Sequence, residues 1–244
     1  MEQYSLERFL NSQLKIYQPK KGYRFAIDAF ILANFVHLKS KESVVELGMG
    51  CGIISLILAC KYPKIKKIFG VEIQPSLASL AKKNVALNQK ENLIEVIQAD
   101  VKNLIKTFPS NSFDAIIANP PYYSLKGGRL SPNEEKSIAR HEIKGSIKDI
   151  VRVGQYMLKE KGKLCVIYPA FRCEHLLIVL RQSGLEPKRL RFVHPYVNKD
   201  ANFILVEAIK GGKQEVRVEF PLIIYEKQRK YTPQVASYYQ IKEE

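Results

Sequence analysis

Four places in this chain carry residue types whose spacing could do chemistry: "ELGMGCG" at 46–52, Glu72, Asp100 and "NPPY" at 119–122. Gly48, Gly50 and Gly52 allow a tight turn and let a ligand approach the backbone closely. Glu46, Glu72 and Asp100 are acceptors, suited to hydroxyl and amine hydrogens or to a nearby positive charge. The last group sets one amide, Asn119, ahead of two prolines and an aromatic ring. It could be merely a stiff turn, or an acceptor and a flat face held on rigid backbone.

Elements that would position these groups follow from the pattern of apolar runs. Strands are expected at 43–47, 66–73, 93–100 and 112–118, with helices at 52–60, 75–88 and 101–108 between them. Pro75 suits the first turn of its helix. After a polar connection, 119 to about 145, a helix is expected over 146–158, a strand over 162–169 and a helix over 174–184 closed by Gly184. Strands 187–195 and 202–209 have no helix-length connection and should pair antiparallel. The alternation predicts an α/β fold with a seven-stranded, mostly parallel sheet whose last strand is antiparallel, the final hairpin adding an antiparallel edge, and helices on both faces. Residues 1–244 are expected to form one domain: an N-terminal extension (1–40) over the ligand site, a core (43–209) and a basic C-terminal extension (210–244) with a possible strand in 220–226.

All three acids then fall at or beside the carboxyl ends of successive strands, where open sheets of this kind bind ligands. A dinucleotide loop would need glycine at 53, where Ile53 stands. A carboxylate at Glu46 suits a cationic sulfonium better than a pyrophosphate. Glu72, 20 residues beyond Gly52, could accept two ribose hydroxyls, with Ile73 beside it. Asp100 could accept from an adenine amine, with Val101 following. The competing reading is that each acid only caps the next helix. Three such acids beside a glycine loop, with Asn119 ending the fourth strand, point to an adenosyl ligand.

The set "ELGMGCG", "GVEI", "AD" and "NPPY" resembles the Rossmann-like S-adenosylmethionine-dependent methyltransferases over about 43–209. Met49 departs from the Thr often found between the first glycines. In that class N-P-P-Y marks enzymes that methylate planar amino groups: adenine N6, guanine N2 or glutamine amides. The resemblance implies that Asn119 and the Pro120 carbonyl hold the amine hydrogens and that Tyr122 stacks on the base. Tyr123 could pack or touch substrate. The flanks "GYRFAIDAF" (22–30), "ARHE" (139–142), "KRLRFVHP" (188–195), "ANFILVEAIKGG" (201–212) and "YTPQV" (231–235) are similar to the bacterial tRNA(Val) adenine-N6 methyltransferase family. That implies methyl transfer to the adenosine 3′ of the anticodon. Arg24 could meet the methionine carboxylate, or pair with Asp28 four residues on.

Lys and Arg number 39 against 24 Asp and Glu, a net charge of +15 that favours a polyanionic partner. The expected partner is tRNA, with Arg129, Arg140, Lys188, Arg189 and Arg191 as candidate phosphate contacts. His141 and His194 need have only structural roles. The four cysteines form no C-x-x-C pair and the four histidines complete no zinc pattern, so no metal is expected and the thiols should be reduced. The apolar stretch "FAIDAFILANFVHL" is broken by Asp28, Asn34 and His37 and is too short to span a bilayer. A cytoplasmic monomer is expected. Three other activities stay open: glutamine N5-methylation of release factors, guanine-N2 methylation of rRNA, and RNA binding without catalysis.

Overall fold

Apolar runs bounded by glycine, proline and lysine build a β/α alternation in the computed structural model, which describes residues 4–20, 24–120 and 146–239. The core strands are β3 (Ser43–Leu47), β4 (Lys67–Glu72), β5 (Ile94–Gln98), β6 (Phe113–Ala118), β7 (Leu158–Pro169), β8 (Leu185–His194) and β9 (Phe203–Lys210). Their order across the sheet is β8-β9-β7-β6-β3-β4-β5. Strands β3 to β7 run parallel, and β9 is antiparallel to both β7 and β8. The last of these strands in the chain, β9, is the antiparallel one, as the sequence predicts, and it lies between β7 and β8. Strand β8 carries two further two-residue strands, β10 (Arg217–Val218) and β11 (Leu222–Ile223), both parallel to it. That brings the sheet to nine strands, against the seven expected.

Side chains alternate between two cores, one per face of the sheet. Val44, Ala115 and Ile117 join one cluster with α1 (Ile27–Phe35), α2 (Ile53–Lys61) and the end of α3 (Pro75–Leu87). Val45, Ile116 and Ala118 join the other, with α4 (Leu104–Thr107), α5 (Ile147–Met157) and α6 (Cys173–Gln182). The period of two carries one residue further: Asn119, following Ala118, falls on the α1 side. Helix α5 starts at a full capping box between Ser146 and Asp149.

The N-terminal segment is a hairpin of β1 (Tyr4–Phe9) and β2 (Leu14–Pro19), separate from the main sheet. Leu14 and Ile16 are fully buried on one face of β2. The outer edge of β2 pairs with no strand. Instead Asn84 and Asn88, one turn apart on α3, act as its partners. Asn84 accepts from Tyr17 N at 2.7 Å and donates to Tyr17 O at 3.0 Å. Asn88 accepts from Lys15 N at 2.9 Å and donates to Lys15 O at 2.6 Å. Two side-chain amides thus satisfy four backbone groups of an edge strand. Asn84 also donates to Cys51 O at 2.9 Å, which ties the hairpin to the glycine loop. Leu10 N donates to Tyr239 O at 2.9 Å, beyond the short helix α7 (Pro233–Ser237), so the hairpin also meets the end of the described chain.

Candidate active site

Strand order reverses at β3, with β4 on one side and β6 on the other, and a crevice opens at such a point beyond the strands' carboxyl ends. The glycine loop leaves β3 there. Gly48, Gly50 and Gly52 all have left-handed φ, +75°, +57° and +91°. Gly48 N and Met49 N donate to Val71 O, each at 2.9 Å, and Gly50 N donates to Glu72 Oε2 at 2.9 Å. These loop N–H groups point at β4, so they do not form the cradle that a pyrophosphate would need.

The loop also rests on a side chain. Met49 is 2% exposed and lies over Gly70, where an added Cβ would stand 2.3 Å from its Sδ. Met49, where a Thr is often found, thus shapes the loop through its side chain as well as its backbone. A long side chain there needs a glycine on β4 beneath it.

The three acids differ in placement. Glu72 is 5% exposed; its Oε2 holds Gly50 N and its Oε1 accepts from Gln74 N at 2.8 Å. Each oxygen keeps a lone pair for a further donor. Asp100 Oδ1 accepts from Lys102 N at 2.9 Å, so it does cap the following 3-10 turn, as the competing reading held. Ile73, 40% exposed, offers an apolar surface between them, and Val101 packs on the core below. Glu46 is buried on the α2 side, its Oε2 accepting from Ser55 N at 2.9 Å and from the Ser55 hydroxyl. Burial pushes its carboxyl up to about 8, against the pull of the Ser55 hydrogen bonds. Glu46 thus anchors the loop to α2.

Asn119 is fixed from the other side of the crevice. Its Nδ2 donates to Asp28 Oδ2 at 2.9 Å. A carboxylate only accepts, so this contact sets which way the amide faces. Asn119 Oδ1 is left buried with no hydrogen-bond partner among the described residues. Pro120 is buried directly after it. Asp28 lies in the first turn of α1. In the sequence it stood out as a charge inside an apolar stretch and as a possible partner of Arg24, and neither signal pointed to Asn119.

The remaining candidates fall elsewhere. The Arg24 guanidinium is taken by Glu7, by Ser5 Oγ at 3.1 Å and by Pro19 O at 3.0 Å. Arg189 is a correction: its side chain is 16% exposed and reaches Glu207 at 3.2 Å, Glu219 at 3.6 Å, His37 Nδ1 at 2.8 Å and Phe35 O at 2.5 Å. Arg191 stays at the surface, with Nε donating to Phe220 O and a second nitrogen to Gln234 Oε1, both at 3.0 Å. Both guanidiniums join β8 to neighbouring segments. Lys188 donates to Lys213 O at 3.1 Å. His194 Nδ1 meets Lys199 O at 2.8 Å. Tyr122, Tyr123, Arg129, Arg140 and His141 lie outside the described residues. Among the described residues no group of three His, Cys, Asp or Glu could hold a metal ion, and no helix is long and apolar enough to cross a membrane.

The donor set fits an adenosyl group. Acceptors Glu72 and Asp100 match ribose hydroxyls and a ring amine, Ile73 offers a face to a planar ring, and the loop amides are turned away from any phosphate. Comparison with known proteins agrees. The methyltransferase small domain model matches residues 26–179. A Haemophilus influenzae protein named tRNA1(Val) (adenine(37)-N6)-methyltransferase is 26% identical over 227 residues, 93% of this chain and 94% of its own length. A Tolumonas auensis protein of the same name is 25% identical, covering 93% of this chain and 92% of its own. Among solved structures, a predicted O-methyltransferase from Agrobacterium tumefaciens superposes with a TM-score of 0.70 at 24% identity, over 86% of this chain and 94% of that one. A precorrin-6y C5,15-methyltransferase from Geobacter metallireducens gives 0.55 at 14% identity, over 80% and 93%. These two likenesses establish the fold.

Proposed function

The chain belongs to the methyltransferase small domain family, and from that premise we propose that it methylates the N6 amine of an adenosine in tRNA, at position 37 beside the anticodon of tRNA1(Val). It is an S-adenosylmethionine-dependent methyltransferase. One observation carries the choice of a planar amine: Asn119 Oδ1 is buried without a partner among the described residues while Asp28 holds the other end of the same amide. A buried acceptor without a donor is costly, and an amine hydrogen from a substrate would satisfy it. The names of the two relatives and the net charge of +15 support RNA as the carrier of that amine.

S-adenosylmethionine supplies a methyl group on a cationic sulfur that needs no further activation. Glu72 and Asp100 would hold its hydroxyls and amine, and the glycine loop would let the backbone come close. Asn119 and the Pro120 carbonyl take the two amine hydrogens, which turns the nitrogen lone pair toward the donor side of the crevice. Tyr122 is assigned to the base face. Rate enhancement comes from alignment, with no covalent step and no general base before transfer. A base in an RNA loop has to be splayed out to reach this position.

The test is transfer of radiolabelled methyl to total tRNA, followed by nucleoside analysis. N6-methyladenosine in the tRNA fraction is the expected product. Label found only in protein would replace this reading with glutamine methylation, which the same Asn119 geometry could serve.

A further inference from the structure

With Arg189 committed to internal contacts, a different surface combines aromatic rings with cations. Starting in α1, Phe30 stacks on Tyr239 (ring centroids 4.3 Å apart), Tyr239 on Tyr231 (5.5 Å) and Tyr231 on Tyr225 (5.3 Å). Tyr196 continues the column at 5.6 Å from Tyr225. The inner end lies two residues from Asp28, the partner of Asn119. The outer end follows β8, which runs parallel to β6, so Tyr196 and Asn119 emerge at the same edge of the sheet. Tyr225 N donates to Pro195 O at 2.9 Å, which fixes the column to that edge.

Tyr225 and Tyr231 flank a tight turn closed by Glu226 N donating to Lys230 O at 2.8 Å. Gln228 and Arg229 hold left-handed φ there, 55° and 61°. The turn displays Lys227, Arg229 and Lys230, all exposed, and Lys199 follows Tyr196 nearby. Two carboxylates, Asp200 and Glu226, lie beside these four cations. None of the three turn cations makes an ion pair among the described residues.

The inner rings pack the C-terminal segment onto α1, and a purely structural role would end there. It does not account for Tyr231 standing 36% exposed, or for three unneutralised cations at the tip of the turn beside it. We propose that the tyrosine column and the 227–230 turn receive the single-stranded RNA loop beside the Asn119 pocket, with phosphates on the turn cations and a neighbouring base on the outer tyrosines. Stacked rings plus a cationic rim are what sequence-tolerant binding of single strands uses, and splaying one base into the pocket leaves its neighbours in need of a new stacking partner. The inference rests on the RNA reading above.

The test compares three full-length proteins in tRNA binding over a salt series. Wild type is set against Lys227→Gln/Arg229→Gln/Lys230→Gln and against Lys39→Gln/Lys64→Gln/Lys66→Gln, which removes equal charge at the opposite edge of the sheet. The turn variant should bind tRNA at least tenfold more weakly, with a salt slope shallower by about 2 and S-adenosylmethionine affinity unchanged. The control variant should lose far less. Tyr196→Leu should weaken tRNA binding about fivefold with the salt slope kept. Wild-type affinity and slope in the turn variant would overturn the inference and leave the methyltransfer reading standing, as would equal losses in both triple variants. A wild-type protein that neither binds nor methylates tRNA would remove both. Turn-dependent binding to phosphatidylglycerol vesicles, tighter than to tRNA, would reassign the surface to membrane.

Discussion

The β4 side of the crevice is held by backbone close at hand: Glu72 grips Gly50 N and Gln74 N, the latter two residues away. The β6 side is held across the fold, with Asn119 oriented by Asp28, 91 residues earlier. On the first side the protein's own amide hydrogens are already taken up, and the acids have lone pairs left for a ligand. On the second an acceptor is held in place with nothing among the described residues donating to it. The difference matches the two tasks. A tightly bound cofactor needs a shaped, internally satisfied wall. A reacting amine needs an acceptor whose hydrogen bond forms only with substrate.

The largest effect should separate these sides outright. Asn119→Ala is expected to lower methyl transfer about 100- to 1,000-fold while calorimetry shows unchanged S-adenosylmethionine affinity; unchanged turnover would take Asn119 out of the chemistry. Asp28→Asn replaces a pure acceptor by a group that can also donate, so the Asn119 amide loses its enforced orientation. Turnover should fall about 100-fold, again with cofactor affinity kept, and an equal loss of both would make Asp28 a folding residue. Glu72→Ala acts on the other wall. Cofactor affinity should drop at least about tenfold, and equal affinity by calorimetry would end the ribose assignment. The smallest effect belongs to Glu46. Its folded carboxyl titrates near 8 against an ordinary 4.5. The folded state therefore holds a proton that the unfolded state has released, and stability falls as pH rises from about 4.5 to about 8. Glu46→Gln should flatten that decline in thermal melts at pH 5 and pH 8, and parallel slopes would show that Glu46 is charged in the fold.

Legibility in the sequence followed the same division. Strands β3 to β9 announced themselves because each is a short apolar run with a helix or turn signal at its ends. Glu72 and Asp100 could be placed because open sheets of this kind bind ligands beyond the carboxyl ends of their strands. Spacing offered Asp28 to Arg24, but Arg24 pairs with Glu7 and the contact of Asp28 with Asn119 is set by how α1 lies against β6. Hairpin β1–β2 went unread because its edge is completed by Asn84 and Asn88, side chains on a helix that carry no strand pattern. Arg189 of β8 failed as a phosphate contact for a physical reason as well. Charge in a sequence does not reveal desolvation, and Arg189 meets Glu207, Glu219 and the Phe35 ring (4.0 Å) only once three separate segments have come together.

The bond from Leu10 N to Tyr239 O joins two segments far apart in the chain. Tyr239 also stacks against Phe30 and tilts against Phe9, so the same residue braces both the hairpin and α1. Asp28 stands two residues from Phe30 on that helix and holds the Asn119 amide. Loosening the chain at Tyr239 therefore reaches the pocket through α1, and a change with no contact to either ligand can alter how well Asn119 is aimed.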